Sequence, residues 1–300
     1  MELRQLKYFV EVARREHVSE AADALHVAQS AISRQIANLE AELGVYLFER
    51  EGRNVKLTPI GRHFLPHAET VLRAVDYAKQ QIEEYLDPER GTIKIGFPSS
   101  LASHTLPTVI SAFKEEHPNV KFQLRQGSYR FLIDAVKRRE IDLAFLGPIP
   151  TDEKDIKGEI LFIESFSALL PLNHRLAKRE SIVLNELRYE PFITFPEGYI
   201  LHKIVIDACK QAGFSPIISS EGEDLDAIKG LVSAGIGVTL LPENTFYDTM
   251  PRFTVKIPIS MPEIKRNVGI IISDHHTLAP SVKVFYDFVK QFFSMLQSYR

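Results

Sequence analysis

An unbroken helical period runs through residues 60–86, and this rod divides the chain more firmly than any other feature of the sequence. Ile60, Phe64, Ala68, Val71, Val75, Ala78, Ile82 and Leu86 step by three or four residues, the spacing that puts apolar groups on one helix face. Thr58-Pro59 supplies a capping hydroxyl and then a proline at the first helical position, where its missing N–H costs nothing. At ~1.5 Å per residue the rod is roughly 40 Å long. A single apolar seam on such a rod predicts pairing with a second copy of the chain. Asp87-Pro88-Glu89-Arg90-Gly91 ends it and marks a hinge.

Ahead of the rod the period is still helical but broken into short pieces over residues 3–43. Leu6, Phe9, Val10 and Ala13 recur at helical spacing. Ser19 reads as an N-cap, followed by Glu20 and the small residues Ala21, Ala22 and Ala24. After a break at His26-Val27-Ala28 the period resumes with Ile32, Ile36, Leu39 and Leu43. Two helices joined by so short a turn form a helix-turn-helix. Residues 47–50, a turn at Glu51-Gly52-Arg53-Asn54, and Val55-Lys56-Leu57 predict a small β-wing.

Beyond the hinge, strands and helices alternate. Strands are expected at 92–97, 120–125 and 142–146, with helices at 101–116 and 131–139 between them, the mark of parallel βα units. A second set follows, with strands at 166–170, 192–195, 216–219 and 237–241 and helices at 200–212 and 225–234. Residues 131–146 and 225–241 share one plan of helix, tight turn and apolar strand, a weak internal repeat that predicts two facing α/β lobes. The last helix, 279–296, is expected to return to the first lobe.

At 300 residues the chain exceeds what one core usually spans. Its lone cysteine, Cys209, can form neither an intramolecular disulfide nor a thiolate metal cluster. The charged first residues do not read as a secretory signal, and no apolar run is long enough to span a bilayer, so a cytoplasmic protein without membrane contact is expected. The net charge of −3 does not advertise nucleic-acid binding. Nor do residues 1–62, where nine bases meet nine acids. If DNA is the partner, the placement of the bases must matter more than their sum.

Placement does point that way. Gln29, Ser30, Ser33 and Arg34 share one face of the third helix, with Ile32, Ile36 and Leu39 turned to the core. Arg can bond guanine bidentately, Gln can bond adenine, and the serines can reach bases or phosphates in a major groove. Arg50 and Arg53 flank the wing turn, where they could meet phosphates or a minor groove. Taken singly, each of these reads more simply as ordinary polar surface; the ensemble carries the reading.

The stretches Ser19-Glu20-Ala21-Ala22, Gln29-Ser30-Ala31-Ile32-Ser33-Arg34-Gln35-Ile36, Leu39-Glu40, Leu43-Gly44, Leu47-Phe48-Glu49-Arg50 and Leu57-Thr58-Pro59-Ile60-Gly61 resemble the LysR-type transcriptional regulators. Asp142 to Gly147 (DLAFLG) and Ala234 to Pro242 (AGIGVTLLP) stand in that family's places. The neutral DNA-binding segment departs from the pattern but removes none of the named bases. The resemblance implies an α/β protein with an N-terminal winged helix-turn-helix, a long linker helix and a two-lobed, periplasmic-binding-protein-like α/β effector domain. The expected divisions are 1–58, 59–88 and 89–300, with lobe I at about 89–162 plus 268–300 and lobe II at about 163–267. Within the family, residues 28–40, 125–129, 195–198 and 221–235 are most similar to regulators that activate glutamate synthase genes. That implies glutamate biosynthesis as the controlled process and 2-oxoglutarate or glutamate as the effector.

In α/β lobes ligands sit beyond the carboxyl ends of strands, where helix N-termini aim N–H groups at them. Ser99 and Ser100 after the first strand, Gln126 and Ser128 after the second, and Pro196 and Glu197 in the second lobe occupy such ends. His202, one turn into a second-lobe helix, could add positive charge beside Lys203. The resemblance extends the set to Leu101 and Gly147. Such a cleft suits a small carboxylate. The serines could equally be plain N-caps, and Glu197 could repel an anion, select an amino group or be solvated rim. The acidic run at Glu221, Glu223, Asp224 and Asp226 most simply favours the start of its helix.

His63 and His67 have a metal-capable i, i+4 spacing but no third ligand nearby in sequence, so no metal is expected. Gly235-Ile236-Gly237 lacks the rest of a dinucleotide fingerprint, and no nucleophile elbow, P-loop or zinc-helix motif occurs. The chain therefore reads as a regulator without a cofactor rather than an enzyme. The alternatives are a two-lobed solute-binding protein of the transport type, disfavoured by the attached helix-turn-helix, and a LysR-type regulator of a different operon. The resemblance further implies a dimer joined into a tetramer on double-stranded promoter DNA, acting with RNA polymerase.

Overall fold

The computed structural model describes residues 1–51, 54–86, 90–247, 250–275 and 277–298. These form two compact units, Met1–Glu83 and Glu84–Arg300.

In the first unit, α1 (Leu3–Arg15), α2 (Val18–Ala24) and α3 (Gln29–Leu43) pack around Leu6, Phe9, Val12, Ile32, Ile36 and Leu39, all buried. The cap of α2 is His17 rather than Ser19: its Nδ1 accepts from the Glu20 N–H at 3.4 Å, because His17 is the last residue in extended conformation and Ser19 already lies in the first turn. A two-stranded antiparallel wing, β1 (Phe48–Glu51) and β2 (Asn54–Leu57), follows with Phe48 opposite Leu57. The Glu40 carboxylate holds its root by accepting from the Leu47 and Phe48 N–H groups at 2.7 and 3.1 Å. Helix α4 (Pro59–Leu86) is capped as its sequence suggests, with Thr58 Oγ1 accepting from the Gly61 N–H at 3.0 Å.

The seam of α4 is not uniformly free. Ala68 is buried and Phe64 half-buried, and the Phe64 ring lies 5.3 Å from that of Phe9. Ile60, Val71 and Ile82 stay exposed. The near half of the rod thus completes the core of its own unit, a role that periodicity alone does not distinguish from pairing.

The second unit is built on one mixed sheet and a small parallel pair. The strands are β3 (Thr92–Phe97), β4 (Lys121–Gln126), β5 (Leu143–Leu146), β6 (Ile156–Pro171), β7 (Ile182–Val183), β8 (Pro191–Thr194), β9 (Ile217–Glu221), β10 (Thr239–Pro242), β11 (Thr254–Met261) and β12 (Lys265–Ser273). The sheet runs β4-β3-β5-β12-β6-β11-β7, with β10 also on β6, and β8 pairs with β9. Helices α5 (Thr105–Glu116) and α9 (Pro280–Ser298) pack on one face of the first lobe, and α6 (Tyr129–Lys137) packs on the other. Helices α7 (Ile200–Gln211) and α8 (Leu225–Ser233) enclose the second core with Phe192, Ile193, Leu240 and Leu241.

Two differences from the sequence reading have physical causes. The helix expected at 101–116 is split into a 3-10 turn, Ser99–Leu101, and α5. Pro107 lies in the first turn of α5, where a missing N–H is tolerated; deeper inside a longer helix it would clash with the preceding turn. The strand expected at 166–170 is sixteen residues long. Its first half holds the apolar residues Ile160, Leu161, Phe162 and Ile163 but is interrupted ahead of them by Lys157, Gly158 and Glu159, and it is held by antiparallel pairing with β12. Residues 156–165 of β6 pair with β12 and residues 166–171 with β10 and β11, so one continuous strand passes from the first lobe into the second. Gly269 sits at a register shift there: an added Cβ would lie 1.9 Å from the Glu159 carbonyl oxygen.

Candidate functional site

Two separate sites emerge, one in each unit. In the first, Gln29, Ser30, Ser33 and Arg34 are exposed along α3, while Ile32, Ile36 and Leu39 are buried behind them. Asn38, one turn beyond Arg34 and also exposed, extends this face and was not singled out from the sequence, although its spacing could have revealed it. Arg53 lies outside the described residues, and so does the side chain of Arg50, whose backbone pairs with Val55 in the wing.

The neutral composition of this unit has a structural resolution. Arg14 bonds Glu69 at 2.9 Å, Arg15 bonds Glu11 at 2.5 Å, and Arg4 reaches Glu2 at 3.4 Å. Arg62 donates to the Leu57 carbonyl at 2.7 Å. Arg34 makes no ion pair among the described residues. The acids neutralise bases away from α3 and leave an uncompensated guanidinium on its exposed face, where a phosphate or a guanine edge could take it up.

In the second unit a cavity of about 310 Å³ opens at the carboxyl ends of β3, β4 and β8. Ser99, Ser100, Gln126 and Ser128 line it from the first lobe. Phe195, Tyr199, Ile200, Leu201 and Glu223 line it from the second. Two helix N-termini face it. Ser128 caps α6, accepting from the Phe131 N–H at 3.4 Å. Helix α7 starts at Ile200 after Tyr199, which makes no side-chain cap bond, so the first-turn N–H groups of α7 are left to a ligand or water.

The charge balance of the wall is set by few groups. Tyr129 is pushed up to about 12, first by burial and then by the charge of Glu153. Tyr199 is also raised, by burial and then by the neighbouring Glu223 carboxylate. Both phenols therefore remain hydrogen-bond donors at any physiological pH.

Behind Ser100 lies a buried guanidinium that sequence reasoning missed. Arg266 donates from Nη2 to Ser100 Oγ at 3.1 Å, from Nη1 to the Gly147 carbonyl at 3.2 Å and from Nε to Glu164 Oε1 at 2.6 Å. Burial lowers the affinity of Arg266 for its proton and raises that of Glu164 for one; their mutual attraction opposes both. In sequence Arg266 follows Lys265 and reads as surface charge. Its position two residues before the buried Val268 is the only hint that it points inward.

The other expected residues are placed differently. The Leu101 side chain is fully buried in the first core beside Phe97 and Leu106, because the 3-10 turn rotates it inward, so it is a packing residue there. Gly147 is buried and serves through its carbonyl on Arg266. His202 is bonded through Nδ1 to the Phe195 carbonyl at 2.7 Å, which anchors the turn from β8 into α7. Neither His202, Pro196 nor the exposed Glu197 lines the cavity. Within the acidic run, Asp224 caps α8 by accepting from the Asp226 and Ala227 N–H groups at 2.8 and 3.1 Å. The rings of His63 and His67 are 5.3 Å apart on α4, and among the described residues no third ligand joins them.

Comparison with known proteins bears on both sites. Residues 3–62 match the profile of the bacterial regulatory helix-turn-helix protein, lysR family, and residues 86–294 that of the LysR substrate binding domain. The chain is 69% identical to the transcriptional dual regulator GltC of Bacillus subtilis (strain 168) over the full length of both. It is 36% identical to the HTH-type transcriptional regulator YybE of the same organism, over 98% of this chain and 100% of that one. Among solved structures, full-length CbnR complexed with its target DNA superposes with a TM-score of 0.79 at 25% identity, covering 97% of this chain and 99% of that one.

Proposed function

Because the chain belongs to the LysR family of bacterial transcriptional regulators, we propose that it switches transcription of glutamate synthase genes in response to a small dicarboxylate, 2-oxoglutarate, glutamate or both. Residues 1–58 read DNA in this scheme, 59–88 join two copies and 89–300 sense the effector, with lobe I at about 89–162 plus 268–300 and lobe II at about 163–267. The reading residues are Gln29, Ser30, Ser33, Arg34, Arg50 and Arg53. The four on α3 enter the major groove, and the two arginines of the wing take phosphates or the minor groove.

The observation that carries the effector assignment is the pair of helix N-termini, α6 and α7, that flank one cavity from opposite lobes. Each N-terminus favours an anion. A dicarboxylate can place one carboxylate at each and so draw the lobes together. Glu223 on the same wall attracts the α-ammonium of glutamate and has no such partner in 2-oxoglutarate, so the two acids compete for one site with unequal contacts.

Effector binding then changes lobe closure, and through it the spacing of DNA-binding pairs and their contact with RNA polymerase. Pairing uses the exposed part of the α4 seam, and the effector domains join pairs into a tetramer, as the family resemblance implies. The GltC relative is described as a dual regulator, and we extend that to this chain: it activates or represses according to which acid it holds.

Calorimetric titration of the full-length protein with 2-oxoglutarate and with glutamate tests the reading. Saturable binding near one site per chain, with each acid displacing the other, is expected. No heat from either acid would reject the effector assignment, while a salt-dependent gel shift on a glutamate synthase promoter tests the DNA assignment separately.

A further inference from the structure

Glu40, near the end of α3, gathers four backbone N–H groups from the segment that leads into the wing. Its carbonyl accepts from Gly44, the left-handed cap of α3, and from Val45 at 3.2 Å. Its carboxylate Oε1 accepts from Leu47 at 2.7 Å and from Phe48 at 3.1 Å. The two ends of one residue therefore shape the chain from the close of α3 to the first residue of β1. Leu47 is buried in one core with Phe9 and Leu39, and the Phe48 ring lies 5.3 Å from that of Phe9. Packing thus holds the wing root against α1, and the carboxylate ties it to α3.

This charge stands against two penalties. Near a helix C-terminus an acid opposes the macrodipole, and α3 has no base in its last turn to offset it. In a unit that approaches DNA, an acid also repels phosphate. A neutral residue would avoid both, so the stability of α3 does not account for a glutamate here. The carboxylate supplies charge-assisted bonds to two adjacent backbone N–H groups, and these set the direction in which β1 leaves α3. Elsewhere the wing is tied to other elements: the Val55 N–H donates to the Glu16 carbonyl at 3.0 Å, and the Thr58 N–H to the Leu47 carbonyl at 3.0 Å. Glu40 ties it to the helix that bears Gln29, Ser30, Ser33 and Arg34.

We propose that Glu40 is a positioning residue for DNA binding. It touches no DNA itself but fixes the wing relative to α3, so that both meet one duplex together. The proposal rests on the assignment of this unit as the DNA reader. It also predicts a sign: removing an ordinary surface acid raises DNA affinity by lessening repulsion, whereas removing Glu40 lowers it.

In the test, the full-length protein first selects its duplex from a random-sequence pool. Binding to that duplex is then followed by fluorescence anisotropy between about 50 and 200 mM salt. Glu40→Ala should bind roughly tenfold weaker, with a salt slope smaller by about 1–2, because each lost phosphate contact removes ~0.9. Glu40→Gln keeps an acceptor oxygen at the same reach and should match the wild type in affinity and slope. A purely structural role would lower the unfolding midpoint of Glu40→Ala and leave the slope of the folded variant unchanged. Failure of the wild type to enrich any duplex rejects the DNA assignment, and this proposal with it. Once a duplex is selected, wild-type or tighter binding by Glu40→Ala, an unchanged slope, or Glu40→Gln as weak as Glu40→Ala each overturns the role of Glu40 by itself. Should Glu40→Ala fail to fold, Glu40→Asp takes its place, keeping the charge on a side chain one methylene shorter. It too should bind more weakly with a smaller slope, and wild-type behaviour would overturn the proposal.

Discussion

Gly61 presses its bare α-carbon against Leu47: a Cβ added there would lie 2.1 Å from the Leu47 carbonyl oxygen. The same oxygen accepts from the Thr58 N–H at 3.0 Å, so the root of the wing and the start of α4 are clamped at one point. Helix propensity alone favours alanine over glycine by about 1 kcal/mol. The clash reverses that sign. Gly61→Ala is expected to lose about 1–3 kcal/mol by forcing the wing and α4 apart, read as a lower denaturation midpoint of the full-length protein. A variant as stable as the wild type would show that the wing root yields without cost.

Arg34→Ala removes the unpaired guanidinium of the exposed α3 face and no intramolecular bond among the described residues. Specific DNA binding should weaken by about 1–3 kcal/mol, with relaxed preference at one base pair. The unfolding midpoint should not move. Gel shifts on the operator and on single-base variants check both parts, and wild-type binding by Arg34→Ala would remove it from the reading face.

Ser99 and Ser128 line the same cavity but should respond differently to alanine. Ser128 Oγ caps α6, so Ser128→Ala should cost about 1 kcal/mol of stability as well as effector affinity. Ser99 makes no cap bond within its 3-10 turn, so Ser99→Ala should blunt the effector response alone. Thermal unfolding beside an effector dose–response on promoter binding separates the two. An unmoved dose–response in Ser99→Ala would exclude that hydroxyl from the site.

Cys209 is fully buried in the second core, and burial pushes its thiol up to about 12. An unfolded thiol ionises near pH ~8.5. Above that pH the unfolded state holds fewer protons than the folded one, so this group makes stability fall as pH rises from ~8.5 toward 12. Cys209→Ala should remove that slope from a series of denaturation midpoints. In the native protein at pH 8 the thiol should be silent to an aromatic disulfide reagent and react fully in denaturant; rapid native labelling would contradict the burial.

The helix-turn-helix was legible because each of its signals is local. Ile32, Ile36 and Leu39 turn inward at helical spacing, and this alone forces Gln29, Ser30, Ser33 and Arg34 outward. The cavity between the two lobes of the second unit was legible in part. Strand ends and capping residues announced Ser99, Ser100, Gln126 and Ser128 in the first lobe, since helix starts are written in short patterns. The second-lobe wall was not, because Phe195, Tyr199 and Leu201 read as ordinary apolar residues until the lobes face each other.

Sequence alone determined the periods, caps and breaks: which segments are helix or strand, and which face of each must be covered. Those are decided by residues within one or two turns of one another. Tertiary structure decided everything that depends on partners far along the chain. It carried β6 across Lys157, Gly158 and Glu159 on the strength of β12, took Phe64 and Ala68 from the free seam into a core, and buried Arg266 between Ser100, Gly147 and Glu164. A charge can be buried only where complementary groups are gathered around it, and those groups lie more than a hundred residues away along the chain in each of these bonds.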